Sequence, residues 1–445
     1  MGRTLLRPFG VAVALAAMAA PVVGQGSSVY TQSACVSARG HASVAATCGD
    51  ASGVYYNPAA LALMPSALSA GFSAIHNLGS FTYDEGQRAG TTVDRETTTP
   101  IVPHGYTSIR MGGDQRFAVG FGVWAPYGLG IEWPETFEGR YISWKTQLQG
   151  LYLQPTIAYQ LIPGRLSIGG GPQIVLGGLE LNQYVEARTA HPDLGLLPPE
   201  VDLAAGTIEG TGTGIGAHVA LLYVVNERLT LGARYMHSVK VDLTGDATFQ
   251  QQTIPGIPDE MLAGLFQAPG PLAAQNVEAD LTFPPQAVLG LNYVFTPQLS
   301  LAFDYQWTGW STFDVIDPDF DYLEMPPLVL NYRDAHTFRG GWSYLATPEL
   351  ALRAGLLYNT AATPDETVTP ILPEAERWLT TLGLGYDFGT IRVDAFYNFV
   401  NQADREGRVR NPPPGQPGTV MNVGVYESTA HLFGLTLSYG IGPIR

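Results

Sequence analysis

Stretch after stretch of this chain alternates apolar and polar residues with a period of two, and that pattern limits the fold more than any other feature. In "LSLAFDYQW", Leu299, Leu301, Phe303, Tyr305 and Trp307 share one face, while Ser300, Ala302, Asp304 and Gln306 share the other. In "IRVDAFYNFVN" the apolar side is Ile391, Val393, Ala395, Tyr397 and Phe399. In "LTLGARYMHSVKV" it is Leu229, Leu231, Ala233 and Tyr235, opposite Thr230, Gly232, Arg234 and Met236. Fourteen such segments are expected, near 67–76, 104–111, 116–125, 147–160, 165–180, 213–224, 228–243, 277–295, 298–312, 334–345, 349–358, 377–388, 390–402 and 430–440. An even number suits a single-chain bacterial barrel.

The connections fall into two classes. Brief turns such as 112–115, 225–227, 296–298 and 346–348 alternate with long stretches such as 77–103, 181–212, 244–276, 313–333 and 403–429. Short turns at one end and long loops at the other describe an outer-membrane barrel, with aromatic residues near the strand ends as interfacial girdles. A soluble β-sandwich also alternates along its strands, but it does not sort its connections this way. The expected fold is therefore a 14-stranded antiparallel transmembrane β-barrel.

Composition agrees. Only 14% of residues are charged and there are two lysines, which is too little charge for an ordinary soluble surface. A formal net charge of −16 argues against nucleic acid, whose phosphates need clustered Lys and Arg. Residues 1–24 read as an export signal, with Arg3 and Arg7 before the apolar run "FGVAVALAAMAA". Cys35 and Cys48 are the only cysteines, and in an exported chain a disulfide is favoured over a metal pair. Residues 25–65 are expected to form a separate N-terminal segment, 66–440 the barrel, and 441–445 a periplasmic tail. That tail leaves Tyr439 short of the terminus, where barrels of this kind usually end on an aromatic.

Strand phase also assigns the charges. An Arg facing lipid at mid-membrane costs about 2–4 kcal/mol, so Arg234, Lys240, Arg339, Arg353, Arg377 and Arg392 are expected on the inner face or near a rim. All six stand opposite the aliphatic face of their own strand.

The stretch "DASGVYYNPAAL" resembles the Asn-Pro-Ala signature of the long-chain fatty acid outer-membrane transporter family, which includes importers of aromatic hydrocarbons. Asn57, Pro58 and Ala59 match it, and "WAPYGLGIEWPETFEGRYISW", "LQPTIAYQL", "FDYQWTGWSTF" and "LRAGLLYNTAATPDE" support it. The resemblance covers most of the mature chain. It implies that the N-terminal segment folds into the lumen as a hatch, with Tyr55 and Tyr56 adding apolar bulk beside Asn57, Pro58 and Ala59. It also implies an outer hydrophobic groove from two long loops, carrying Leu194, Leu196 and Leu197 on one and Met261, Leu262, Leu265 and Phe266 on the other. A kinked third strand would open the wall laterally, and Gly120 and Gly122 lie in the corresponding strand; ordinary glycine shaping of curvature remains the alternative.

A carboxylate entering the lumen would need a charge-assisted partner. Inward phase makes Arg353 and Arg339 the first candidates, then Arg234 and Lys240, with lumen ion pairs to Asp304, Asp387 or Asp394 as the alternative. No enzyme, cofactor or metal is expected. The eight histidines do not cluster, His218 and Ser238 share only an inward phase, and "GTGTGIGAH" is followed by a strand where a dinucleotide loop needs a helix. The expectation is a monomeric passive importer, in the outer membrane of a Gram-negative bacterium, for a long-chain fatty acid or another hydrophobic compound. A polar porin, and more remotely a lipid hydrolase, are the other readings. The sequence does not choose between fatty acid, alkane and aromatic ring.

Overall fold

The computed structural model describes residues 28–190, 194–411 and 421–441. The export signal, residues 25–27 and all of the tail except Ile441 lie outside the described residues. No described helix is long and apolar enough to cross a membrane. The strands do so.

Fourteen wall strands close one antiparallel sheet. They are β1 (Ala67–Tyr83), β2 (Ile101–Met111), β3 (Phe117–Glu132), β4 (Lys145–Ile162), β5 (Leu166–Glu186) and β6 (Asp202–Val224). Next come β7 (Leu229–Met236 and Val239–Gln251), β8 (Gln275–Phe283 and Gln286–Thr296), β9 (Leu299–Thr308) and β10 (Ala335–Leu345). The last four are β11 (Leu350–Asn359), β12 (Arg377–Asp387), β13 (Ile391–Gln402) and β14 (Met421–Gly440). Closure comes from β1 and β14, paired without interruption from Ala67 opposite Gly440 to Tyr83 opposite Gly424. Closing the cylinder removes the free edges that hydrocarbon would not tolerate.

Each expected segment is present, but several strands run further toward the long-loop end. β6 starts at Asp202 and β14 at Met421, and β1 continues to Tyr83. Beyond the bilayer a strand no longer needs an oily outer face, so its ladder continues after its sequence signal has faded.

β7 and β8 break at one level. Val239 pairs with Phe283 and Met236 with Gln286, leaving His237 and Ser238 beside Pro284 and Pro285. Neither proline can donate to a ladder. Across the break the inward phase of β7 changes from even residues, with Arg234 and Met236 buried, to odd ones, with Val239, Val241 and Leu243 buried. Lys240 therefore points outward, its side chain 58% exposed, and pairs with Asp242 and Asp280 at 3.1 and 2.8 Å. This corrects the expectation that Lys240 lines the lumen: one unbroken period was read through a two-residue interruption.

Candidate functional site

The N-terminal segment occupies the lumen at the short-turn end. Cys35 and Cys48 form the expected disulfide. Asn57 ends one helical turn (Gly53–Tyr56) and caps the next, a 3-10 helix over Pro58–Ala62. Its Oδ1 accepts from the Ala59 N–H at 3.0 Å, and its Nδ2 donates to the Val44 and Leu221 carbonyls at 2.5 and 3.1 Å. Proline suits the first helical position because its missing N–H would be unpaired there anyway. Ala59 is fully buried, and a Cβ on Gly169 of β5 would lie 2.6 Å from the Pro58 carbonyl carbon, so only glycine lets this plug seat against the wall.

Inward polar side chains then bind the hatch backbone. Asp304 Oδ2 accepts from the Ser43 and Val44 N–H groups at 2.6 and 2.9 Å. Thr436 accepts from Ala34 N–H and Thr381 from Gly40 N–H, both at 2.8 Å. Gln160 donates to the Ala62 carbonyl at 2.6 Å and Arg392 to the Cys48 carbonyl, also at 2.6 Å. His218 bonds to Gln154 and Thr156 at 3.2 and 3.3 Å, and so belongs to this framework.

The three inward arginine candidates are committed to the same framework. Arg353 pairs with Asp394 at 2.8 Å, and Arg392 pairs with the same carboxylate at 2.9 Å. Arg339 donates to Gln306 at 2.7 Å and lies 4.6 Å over the Tyr30 ring. Arg234 donates to the Tyr55 carbonyl and to Gln286, each at 2.9 Å, and lies 4.6 Å over the Tyr55 ring.

Above the hatch the lining becomes aromatic. Tyr55 contacts Trp124 with ring centroids 4.1 Å apart, and Trp124 stacks on Tyr152 at 4.8 Å. Phe283 stacks on Tyr127 at 5.2 Å, and Tyr127 meets Trp310 edge-on at 5.8 Å. Trp310 contacts Phe313, which stacks on Tyr332 at 6.1 Å. Phe313 and Tyr332 also line a cavity of about 120 Å³ whose other walls include Leu129, Leu148, Leu179, Leu243, Leu281 and Leu330. An apolar pocket thus stands on an aromatic column whose foot is the hatch.

The two long loops do meet. Leu194 and Leu262 are buried in one cluster, with Leu197, Leu265 and Phe266 packed against it. Leu196 and Met261 face solvent, 101% and 75% exposed. The first loop is also fastened on its other side by ions: Arg410 pairs with Glu138 and Glu186 at 3.0 and 3.2 Å, and Arg88 with Glu200 at 2.6 Å. Arg140 holds Asp202 at 3.1 Å.

Against known proteins, residues 13–440 match the family model "Outer membrane protein transport protein (OMPP1/FadL/TodX)". The chain belongs to that family. It is 24% identical over 349 residues to Outer membrane protein P1 of Haemophilus influenzae, covering 73% of this chain and 72% of that one. It is 24% identical over 308 residues to the long-chain fatty acid transport protein of Escherichia coli O6:H1, covering 64% and 66%. A Pseudomonas aeruginosa FadL homologue superposes with a TM-score of 0.79 at 21% identity, over 94% of this chain and all of that one. The Pseudomonas putida toluene transporter TodX gives 0.69 at 18% identity, over 92% and 98%. At these identities the two structures establish the fold alone, a closed β-barrel; the family match places the chain among Gram-negative outer-membrane transport proteins rather than enzymes.

The wall discontinuity of this OMPP1/FadL/TodX chain lies further along β3 than Gly120 and Gly122. Those glycines are paired on both sides, with Ser108 and Tyr106 on β2 and with Thr156 and Gln154 on β4. Their missing side chains make room for Val54 and Leu61 of the hatch. The β2–β3 ladder ends at Gly105 and Val123, and the β3–β4 register slips between Trp124 and Tyr127. Val29 N–H donates to the Pro126 carbonyl at 2.7 Å and Gln32 Nε2 to Ala125 at 2.6 Å, so the N-terminal strap covers the break.

Sequence reasoning missed the pocket. Its signal was present in "KTQLQGLYLQPT", where Gln147 and Gln149 face outward and Leu148 inward, while two steps later Leu151 and Leu153 face outward and Gln154 inward. The oily face changes sides as the strand leaves the bilayer.

Proposed function

We propose that this protein is a passive outer-membrane importer of long-chain fatty acids or related hydrophobic compounds, working as a single barrel surrounded by outer-membrane lipid. Cargo is captured at the two apolar loops, passes into the pocket, descends beside the aromatic column, and leaves past the hatch or through the break at Ala125–Pro126 beneath the strap. The observation that carries this reading is the apolar pocket set directly above an aromatic column that ends on Tyr55. Each buried methylene contributes about 0.8 kcal/mol, so a chain of a dozen carbons offsets its ordering cost. The sequence offers no nucleotide-binding loop to drive the step.

Uptake of labelled oleate and labelled toluene in a strain lacking the gene, with and without complementation, tests the proposal. Restored uptake of either cargo supports it. Restored entry of small sugars, with neither hydrophobic compound affected, would instead favour a polar porin.

A further inference from the structure

The inference drawn here rests on the transport reading and narrows its cargo. We infer that the pocket selects molecules whose buried end carries no charge: hydrocarbons, aromatic rings or esters in preference to free carboxylates. The lining is built from side chains such as Leu148, Leu281, Phe313 and Tyr332, and among the described residues it includes no Lys, Arg or His. Its polar members do not substitute for a cation. Thr146 is already bonded to Ser143 at 2.8 Å, and Glu209, which borders the pocket but is itself exposed, carries the same sign as a fatty acid headgroup.

The arginines that could have served are employed elsewhere. Arg353 neutralises Asp394, Arg339 is held by Gln306 over Tyr30, and Arg234 is held by Gln286 and the Tyr55 carbonyl at the foot of the aromatic column. A small adjoining cavity, sharing Leu129 and Leu372 with the pocket, does contain Arg95. That guanidinium donates to the Leu78 carbonyl at 2.8 Å, and the same cavity contains the carboxylate of Glu374. A carboxylate brought into the pocket would lose its water without gaining a partner, which is the costly way to bury a charge. An ester or a ring leaves no such group stranded.

The experiment compares hexadecanoic acid with its methyl ester, which share one chain and differ in charge. Each competes with a neutral fluorescent hydrophobic probe for the full-length protein in non-ionic detergent at pH 8. The ester is expected to bind at least ten-fold more tightly, and the two to converge near pH 3, below the ordinary carboxylate range. A Leu281→Arg variant, which adds the missing cation, is expected to tighten the acid at least ten-fold and leave the ester unimproved. Acid binding as tight as ester binding to the unmodified protein at pH 8 overturns the inference, whatever the variant does. Displacement by neither compound overturns the transport reading and the charge preference with it, whereas acid-favoured displacement overturns the charge preference alone.

Discussion

The lower and upper halves of the barrel use the same alternating pattern in opposite senses. In the bilayer the outer face is oily and the inner face is polar, and the inner polar groups hold the hatch through directed bonds from Asp304, Thr381, Thr436 and Gln160. Nearer the long loops the outer face turns polar, at Gln147, Lys240 and Asp242, and the inner face turns oily, at Leu148, Val241 and Leu243. Hydrogen bonds specify one geometry; apolar contact is non-directional and tolerates many. The lower half is thus built to hold one fixed object, and the upper half to accept varied ones.

The largest expected effect breaks the lower half. Asp394→Ala leaves Arg353 and Arg392 buried without the carboxylate that now lies 2.8 and 2.9 Å away, and removing one partner of a buried ion pair costs about 3–5 kcal/mol. Thermal unfolding in detergent should register the loss. An unchanged midpoint would mean that these charges contribute little to seating the hatch.

Arg410→Gln acts on the upper half. It removes pairs with Glu138 and Glu186, both nearly buried, and charge-assisted bonds of this kind contribute about 1.5–3 kcal/mol. Amide exchange should accelerate in the loop at residues 187–190 and 194–201 while the hatch stays protected. Equal acceleration in both regions would erase the contrast between them. The smallest effect is predicted for Leu196→Ser, because that side chain is fully exposed: stability should change by less than about 0.5 kcal/mol, against a cargo-capture rate that falls if the leucine is part of the entrance.

How much of this was legible in the sequence follows from where the bilayer constrains it. Lipid demands an oily outer face, so the strands were visible wherever they cross the membrane, and the inward positions of Arg234, Arg339 and Arg353 followed from phase alone. Above the membrane that demand ends, which is why β6 and β14 begin about ten residues before their signal does. Lys240 failed for a sharper reason: a break at His237–Ser238 opposite two prolines reverses the phase, and periodicity has no means of seeing its partner strand. The roles of the arginines were equally hidden, since inward phase does not distinguish a residue that waits for a ligand from one already bonded to Asp394, Gln306 or Gln286. Asn57, Pro58 and Ala59 were found by resemblance to a family motif. The physical reason for the motif, a cap that also reaches Val44 and Leu221, required coordinates.

Planar-bilayer conductance tests the central claim most directly, because a lumen filled by its own N-terminal segment cannot carry a steady ionic current. The intact protein is predicted to show no sustained large openings, and a protein lacking residues 28–65 is predicted to show them. Steady, large conductance from the intact barrel, equal to that of the truncated one, would contradict the account.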